Sequence, residues 1–580
     1  MAIVISAAET SASKIAVRET LDLIDGRFMA TAAGVGRRRY ALWVGSGISR
    51  DRLVDVGRML EKALEHLRSR VQPHSDDCRF RPALKEALRM VPLSEAEMAA
   101  IRYDDPFATW PTKSKILQAL WTQYANVLDI RVQDEPADYM LWSAVDVRAT
   151  FAGVVDPDCE HLWIAILIME GAVADIASAN WDGLIETAVE RLSGGMGGLL
   201  QVVVDPERLR GDPGRTRLLK FHGCAVLAAR DPEVYRNYLV GSQSQLTEWP
   251  NDPVWTAMRN ELVNLIVRSP TLMIGLSTQD TNIQHIFSAA KNTMPWAWPN
   301  ETPAYVFSND ALGQFHRNLL KCVYRNAYET RGNEIEDSAL LRAYGKQVLV
   351  ALTLHVLTLK LIELLPLAPL STFLPHDRAR FGGGLVHLRN RAAEQAGAGS
   401  AEFIWTFIRM WSRALSLFRD GVTPANPAHY QRLGQWALHE MAGDPGIARS
   451  GLPELAIGLG LLGDGEAEGQ WKLMLPPETT GRGAISVVSL ENPAQSADIY
   501  FVGTAGAAIQ LLSHGAIGDE NEDVVVVHSE HAFKESFRSP SSAPGRTGQL
   551  APRHVSVRDL VSESADFFSF RERFRERAVL

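Results

Sequence analysis

The chain has 580 residues, a formal net charge of −9, and 46% hydrophobic and 22% charged residues. That length exceeds what a single core fills, so two or three domains are expected, and the composition excludes wholesale disorder. The acidic balance excludes a surface built throughout for nucleic acid and leaves room only for a local basic groove.

Cys78, Cys159, Cys224 and Cys322 are far apart and form no CxxC pair. This is the usage of reduced thiols, not of a disulfide framework or a zinc cluster. The opening run MAIVISAAETSASK has no basic region followed by a long apolar stretch. No secretory signal is read there, and a cytoplasmic location is expected.

In chain order, residues 1–36 read as a helix or arm over 9–24 that ends in the small-residue stretch 30–36. A short apolar run at 40–44 predicts a strand running into GSGIS, followed by an amphipathic helix over 53–71. Val56, Leu60, Leu64 and Leu67 would share one face of that helix. A helix is expected at 162–170, then strands at 173–177, 218–221, 271–274 and 304–307. Each of these strands ends in polar or glycine residues: SANWD, HG, GLSTQD and SND. Short apolar strands alternating with helices predict an α/β fold with a doubly wound, Rossmann-like parallel sheet, whose ligands bind outside the carboxyl ends of the strands.

Past residue 310 the character changes. A long helix is expected over 338–365, closed by Pro366, Pro369 and Pro375. Its most apolar window, 348–359, is shorter than the roughly 20 residues of a membrane span and reads as a buried helix. RFGGGL and AGAGSAE suggest a boundary near 400, and Phe403, Phe407, Trp411, Leu415 and Phe418 recur at helical spacing. Strands at 485–490, 498–502 and 523–527, with a helix at 505–513, predict a small carboxyl-terminal α/β unit. A linker is read at 539–548 and a charged helix at the end. The resulting division is an arm at 1–36, an α/β domain at 37–310, a helical connector at 311–400 and a carboxyl-terminal helical plus α/β region at 401–580.

The chemistry gathers at the strand ends. Gly45, Ser46, Gly47, Ile48 and Ser49 form a glycine-rich turn where backbone could approach a pyrophosphate at a helix amino terminus. The same turn would serve a ligand-free β–α connection, and its spacing is not GxGxxG. Asn180 offers a carboxamide able to hold a ribose hydroxyl and a water. Asp182 either accepts from ribose hydroxyls or caps the following helix. His222 follows a strand and has the ring for general base work near neutral pH. Gly275, Ser277, Thr278 and Asp280 suit a second ribose and its phosphate, or a plain hydroxyl turn.

Taken in order, GSGIS, NWD, FHG and GLSTQD resemble the sirtuin-like family over about residues 36–310. The resemblance implies NAD as substrate, with Gly45, Ser46 and Ser49 at the phosphates and Asn180 and Asp182 at the nicotinamide ribose and its water. It further implies His222 as the catalytic histidine, and Ser277 and Asp280 near the adenosine half. Deacylases of the family carry a four-cysteine zinc site between the FHG-like and GLS-like motifs, whereas the interval from Cys224 to Gly275 holds only Cys224. The pattern is therefore closer to zinc-free sirtuin-like effectors of bacterial anti-phage defence, which cleave NAD to nicotinamide and ADP-ribose and need no metal.

For such an effector the resemblance implies activity held off until triggered. Residues 311–580 would mediate assembly or sensing, as a homo-oligomer or with a companion chain such as a short Argonaute or a ring-shaped ATPase. Nucleic acid would be reached only through a partner or the carboxyl-terminal region. The alternatives are an NAD- or ADP-ribose-binding subunit without turnover, and an NAD-dependent deacylase or ADP-ribosyltransferase.

Overall fold

The computed structural model describes residues 11–72, 75, 77–211, 214–293, 296–299, 303–368, 370, 373–474, 484–514, 517, 523–531 and 552–580. Its centre is a seven-stranded sheet of β1 (Ala41–Val44), β2 (Asp175–Ser178), β3 (Leu200–Val203), β4 (Thr216–Lys220), β5 (Thr271–Ile274), β6 (Tyr305–Ser308) and β7 (Leu340–Leu341). The spatial order is β3-β4-β2-β1-β5-β6-β7, and every pairing is parallel.

Alternation along each strand splits the core into two faces. Leu42, Val44, Ile176, Leu218, Leu272, Ile274 and Val306 join the cluster built on the helix Cys159–Met169. Their neighbours Trp43, Ala177, Leu219, Met273 and Phe307 join the opposite one, with the helices Thr256–Arg268 and Thr281–Thr293. With both faces covered, β1, β5 and β6 are buried along their whole length, which is why they read as apolar runs, whereas the edge strand β3 is half-buried.

The chain passes from β1 outward through β2, β3 and β4, then crosses back to β5 on the other side of β1. That reversal opens a crevice at the carboxyl ends of β1, β2 and β5, where open α/β sheets bind ligands. Between β1 and β2 an inserted helical lobe, including Val56–Ser69 and Phe80–Arg89, has its own core around Leu60, Leu64, Leu84, Leu88, Leu128 and Leu141.

Several expectations are corrected. The small-residue stretch at 30–36 belongs to a helix, Met29–Gly36. Val17, Leu21, Phe28 and Val35 pack in the same cluster as β1, beside Val348, Leu352 and Val356. With β7 at 340–341, lines drawn at 36 and 310 cut through one sheet and one core. The long helix is Gly345–Leu364, because residues 340–341 are taken into the sheet first. Among the described residues, Gly345–Leu367 is the one helix long and apolar enough to cross a membrane, and most of it is buried inside the protein.

RFGGGL is no boundary: it lies inside the helix Pro375–Ala396. A Cβ on Gly384 would stand 1.8 Å from the Gly460 carbonyl oxygen of the helix Leu452–Ala467. The glycine there serves a backbone-to-backbone helix crossing rather than a loop.

Among the described residues the carboxyl-terminal unit has five strands: β8 (Trp471–Met474), β9 (Ile485–Ser489), β10 (Ser496–Val502), β11 (Val524–His528) and β12 (Arg553–Ser556). β8, β9 and β10 pair antiparallel, whereas β10, β11 and β12 pair parallel. The helix Ala505–Ser513 falls where the sequence predicts it; β8 and β12 were not foreseen. The linker read at 539–548 lies outside the described residues. The terminal helix is Phe567–Ala578, with Phe567, Phe570 and Phe574 in the core. Its arginines are paired: Arg571 with Asp464, Arg575 with Glu491 and Arg577 with Glu563.

Candidate functional site

The loop after β1 does not run into a helix amino terminus, as the sequence suggested. Ser46–Ile48 is a single 3-10 turn, and the next helix starts at Val56 under its own cap, with Asp55 accepting from the Arg58 N–H at 2.8 Å. The glycines answer to a neighbouring loop. A Cβ on Gly45 would lie 2.6 Å from the Gly275 carbonyl oxygen, and one on Gly47 would lie 2.6 Å from the Gly275 Cα. Gly47 N–H donates to that same oxygen at 3.0 Å, and Gly275 itself has φ +64°. The loops after β1 and β5 are thus clasped together, and only glycine fits at the clasp. Ser46 lies exposed at its rim, while Ser49 is buried beneath it.

Ser49 is the hub of a buried network. Its Oγ donates to Asp182 Oδ2 at 3.1 Å and lies 3.0 Å from His161 Nε2. The Asp158 backbone N–H donates to His161 Nδ1 at 3.2 Å. A backbone N–H can only donate, so the neutral ring carries its proton on Nε2 and directs it at Ser49. Burial lowers the His161 pKa, opposed by the Asp182 and Asp158 carboxylates, which favours that neutral ring.

Asn180 completes the network: its Nδ2 donates to the Gly45 carbonyl at 3.2 Å and to Ser49 Oγ at 3.4 Å. The amide is therefore held by its nitrogen, and its Oδ1 is buried without a partner. Asp182 is held from both sides, although the N-cap position of the following helix is Gly183. Oδ2 is taken by Ser49, while Oδ1 accepts from the Leu184 N–H at 3.1 Å, so both oxygens have partners within the chain.

His222, at the end of β4, is buried with its Nε2 2.8 Å from Asn282 Nδ2. Burial lowers its pKa, opposed by the Asp280 carboxylate. Gly223 follows with φ +87°, and a Cβ there would strike the Tyr238 carbonyl oxygen at 2.3 Å. Asp280 accepts from the Tyr124 hydroxyl of the inserted lobe at 2.7 Å. Ser277 is exposed, its Oγ accepting from the Gln279 N–H at 3.3 Å. Thr278 holds a positive φ of 54°, strained for a β-branched residue, with its buried Oγ1 unpartnered.

The structure thus gathers Gly45, Gly47, Ser49, Asn180, Asp182 and Gly275 into one cluster, and groups His222 with Asp280. Sequence reasoning missed His161, Asn282, Tyr124 and Lys220. His161 sits in an apolar helix and Asn282 in a helix's first turn, so no local signal marked either. Lys220 is fully buried; its Nζ donates to the Asp182 carbonyl, reaches Glu186 at 2.8 Å and lies 3.4 Å from Cys224 Sγ. Burial opposes its charge, yet the Glu186 carboxylate prevails and the pKa is raised.

Among the described residues, Asp158, Cys159 and Glu160 bring three potential metal ligands within 4.8 Å. Each is already engaged at the start of the helix Cys159–Met169. Asp158 accepts from the Cys159 N–H at 2.8 Å, and the Cys159 thiol donates to Glu160 at 3.1 Å.

This is a Rossmann-like arrangement of polar loops at a sheet's switch point. The family model described as SIR2-like domain matches residues 175–330. The match spans β2 to β6 and the helix Gln314–Tyr324, and leaves out β1 with its GSGIS loop. SIR2-like domains bind NAD, and the family includes NAD-dependent enzymes. No match is found among curated proteins.

The residues fit such a ligand. Asn180 Oδ1, Asn282 Oδ1, Thr278 Oγ1 and Trp181 Nε1 are all buried and partnerless on loops at the strand ends or in the first turn after one. Buried polar atoms without partners are costly, and a molecule bearing ribose hydroxyls, an amide and phosphates would satisfy them.

Proposed function

We propose that this chain is an NAD glycohydrolase that releases nicotinamide and ADP-ribose, with Asn180 and His222 at the reacting centre. The observation that carries the reading is the Asn180 amide, pinned by its nitrogen to Gly45 and Ser49 while its oxygen is left buried and open. A carbonyl oxygen so fixed accepts a hydrogen bond from water and aims the water's lone pair. The C1′–N bond of the nicotinamide ribose breaks with its electron pair passing to the pyridinium nitrogen, so nicotinamide departs neutral. The water oxygen bonds to C1′, and its surplus proton passes to His222 and then to solvent. Burial keeps His222 neutral, the form that takes a proton.

The chain's wider role, on this reading, is that of a regulated effector of anti-phage defence acting by NAD depletion. Residues 311–580 would serve assembly or a companion chain. The helix Cys159–Met169 supports a link between that region and the site. Next to its amino end stands His161, beside Ser49; beyond its carboxyl end, the buried Glu170 accepts from the Tyr430 hydroxyl at 2.8 Å and the Leu433 N–H at 2.7 Å.

The test is product identification after incubation with NAD, alone and with candidate partners or phage lysate. Free ADP-ribose that is lost in His222→Ala supports hydrolysis. Acetyl-ADP-ribose with an acetylated peptide, or ADP-ribosylated protein, would replace it with deacylation or transfer. Binding of NAD without any product under all triggers would make the chain a sensor.

A further inference from the structure

His222 enters the proposed reaction as a base, yet neither of its ring nitrogens is open. Asn282 Nδ2 stands 2.8 Å from Nε2. An amide nitrogen has hydrogens and no usable lone pair, so Nε2 must accept, and the neutral ring's single proton lies on Nδ1. Asn282 is completely buried in the first turn of the helix Thr281–Thr293, while its Oδ1 has no partner. The remaining surroundings of the ring come from other elements. The Phe221 ring lies edge-on at 4.6 Å, and the Asp280 carboxylate, itself bound by Tyr124, acts on it through space.

We propose that Asn282 is the positioning residue of His222 and gates it: its amide fills the Nε2 lone pair in the resting chain and leaves that position only for a ligand bearing a vicinal diol. A ribose supplies what the exchange needs. One hydroxyl donates to the open Asn282 Oδ1 while the other accepts from Nδ2, and the imidazole lone pair is freed in the same step. No covalent bond changes in the gate; one hydrogen bond within the protein is traded for two to the sugar. The gate rests on the hydrolase reading for its purpose, though the Asn282–His222 contact can be tested without turnover.

The experiment uses the full chain labelled with ¹³C and ¹⁵N in histidine, with the His222 signals assigned by their loss in His222→Gln. In the parent, ¹⁵N shifts should show the Nδ1–H tautomer at neutral pH. Asn282→Asp puts a carboxylate where the donor stood, which favours imidazolium. Its His222 midpoint should rise by about one pH unit or more, a tenfold shift in the protonation equilibrium. Asn282→Leu should release the Nδ1–H preference, and so should saturating ADP-ribose on the parent. A parent ring in the Nε2–H form, or an Asn282→Asp midpoint equal to the parent's, overturns the proposal. So does ADP-ribose that binds by calorimetry and leaves the tautomer unchanged. If neither NAD nor ADP-ribose binds, the hydrolase reading and the gate's purpose fall together, and the variants still decide whether Asn282 controls the ring.

Discussion

Replacing Asn180 by alanine separates its structural role from its chemical one. The side chain makes two long neutral contacts, at 3.2 Å to Gly45 and 3.4 Å to Ser49. Each such bond contributes about 0.5–1.5 kcal/mol, so the fold should lose roughly 1–3 kcal/mol and melt a few degrees lower. The open Oδ1 disappears with the side chain, and losing the group that places the attacking water should lower turnover by about 100- to 10,000-fold. Asn180→Asp is the sharper variant. It keeps an oxygen at Oδ1 but turns another toward the Gly45 carbonyl, so two acceptors oppose each other where a donor stood. It should melt below Asn180→Ala and be no more active. Nicotinamide release by chromatography, beside a melting curve for each protein, reads both effects. A folded Asn180→Ala that turns over NAD within about threefold of the parent would refute the reasoning.

Other consequences are as direct. Gly384→Ala should destabilise by about 1–3 kcal/mol, because its Cβ would sit 1.8 Å from the Gly460 oxygen. Gly382→Ala, two residues earlier in the same helix with nothing within 4 Å, should instead stabilise by up to about 1 kcal/mol, and melting temperatures check both signs. Lys360→Met strands the Glu170 carboxylate, whose Oε2 the lysine meets at 2.8 Å. Uncompensated buried charge should cost about 3–5 kcal/mol in denaturant melts, and adding Glu170→Gln should recover part of it. His528 is held neutral by burial, its pKa lowered from 6.5 to about 4. The unfolded chain takes a proton there that the folded chain refuses, so this contribution is full above about pH 6.5 and is lost as pH falls toward 4. Denaturant melts should therefore fall by about 2 kcal/mol between pH 7 and pH 5 on this account, and His528→Gln should flatten that part of the decline.

The strands β1, β2, β4, β5 and β6 were legible because both faces of the sheet are covered, which leaves apolar runs punctuated by polar and glycine residues; the half-buried edge strand β3 and the two-residue β7 were not. Runs such as ALWV and TLMI are too short for a helix and are closed by glycine, which favours a strand. Their carboxyl ends were legible for the same reason: polar and glycine residues punctuate the runs, so Asn180, Asp182 and His222 could be placed at that edge by position, while any role toward NAD came only from the resemblance. Glycine misled wherever its cause lay far off in sequence. RFGGGL reads locally as a break, yet Gly384 is shaped by a helix some 75 residues later. In GSGIS the structure adds a cause the sequence could not show: the Gly275 loop lies against Gly45 and Gly47.

What the sequence by itself determined was the class of fold and the edge of the sheet at which the polar and glycine-rich loops gather, since both follow from periodicity and local turn propensity. The tertiary structure alone decided how those residues are held. His161 reaches Ser49 across 112 positions, Asn282 reaches His222 across 60, and Tyr124 reaches Asp280 across 156. Hydrogen bonds of such separation leave no periodic trace in the chain. They are set by which strands lie side by side, and it is that adjacency which gives Asn180 one bound end and one open end.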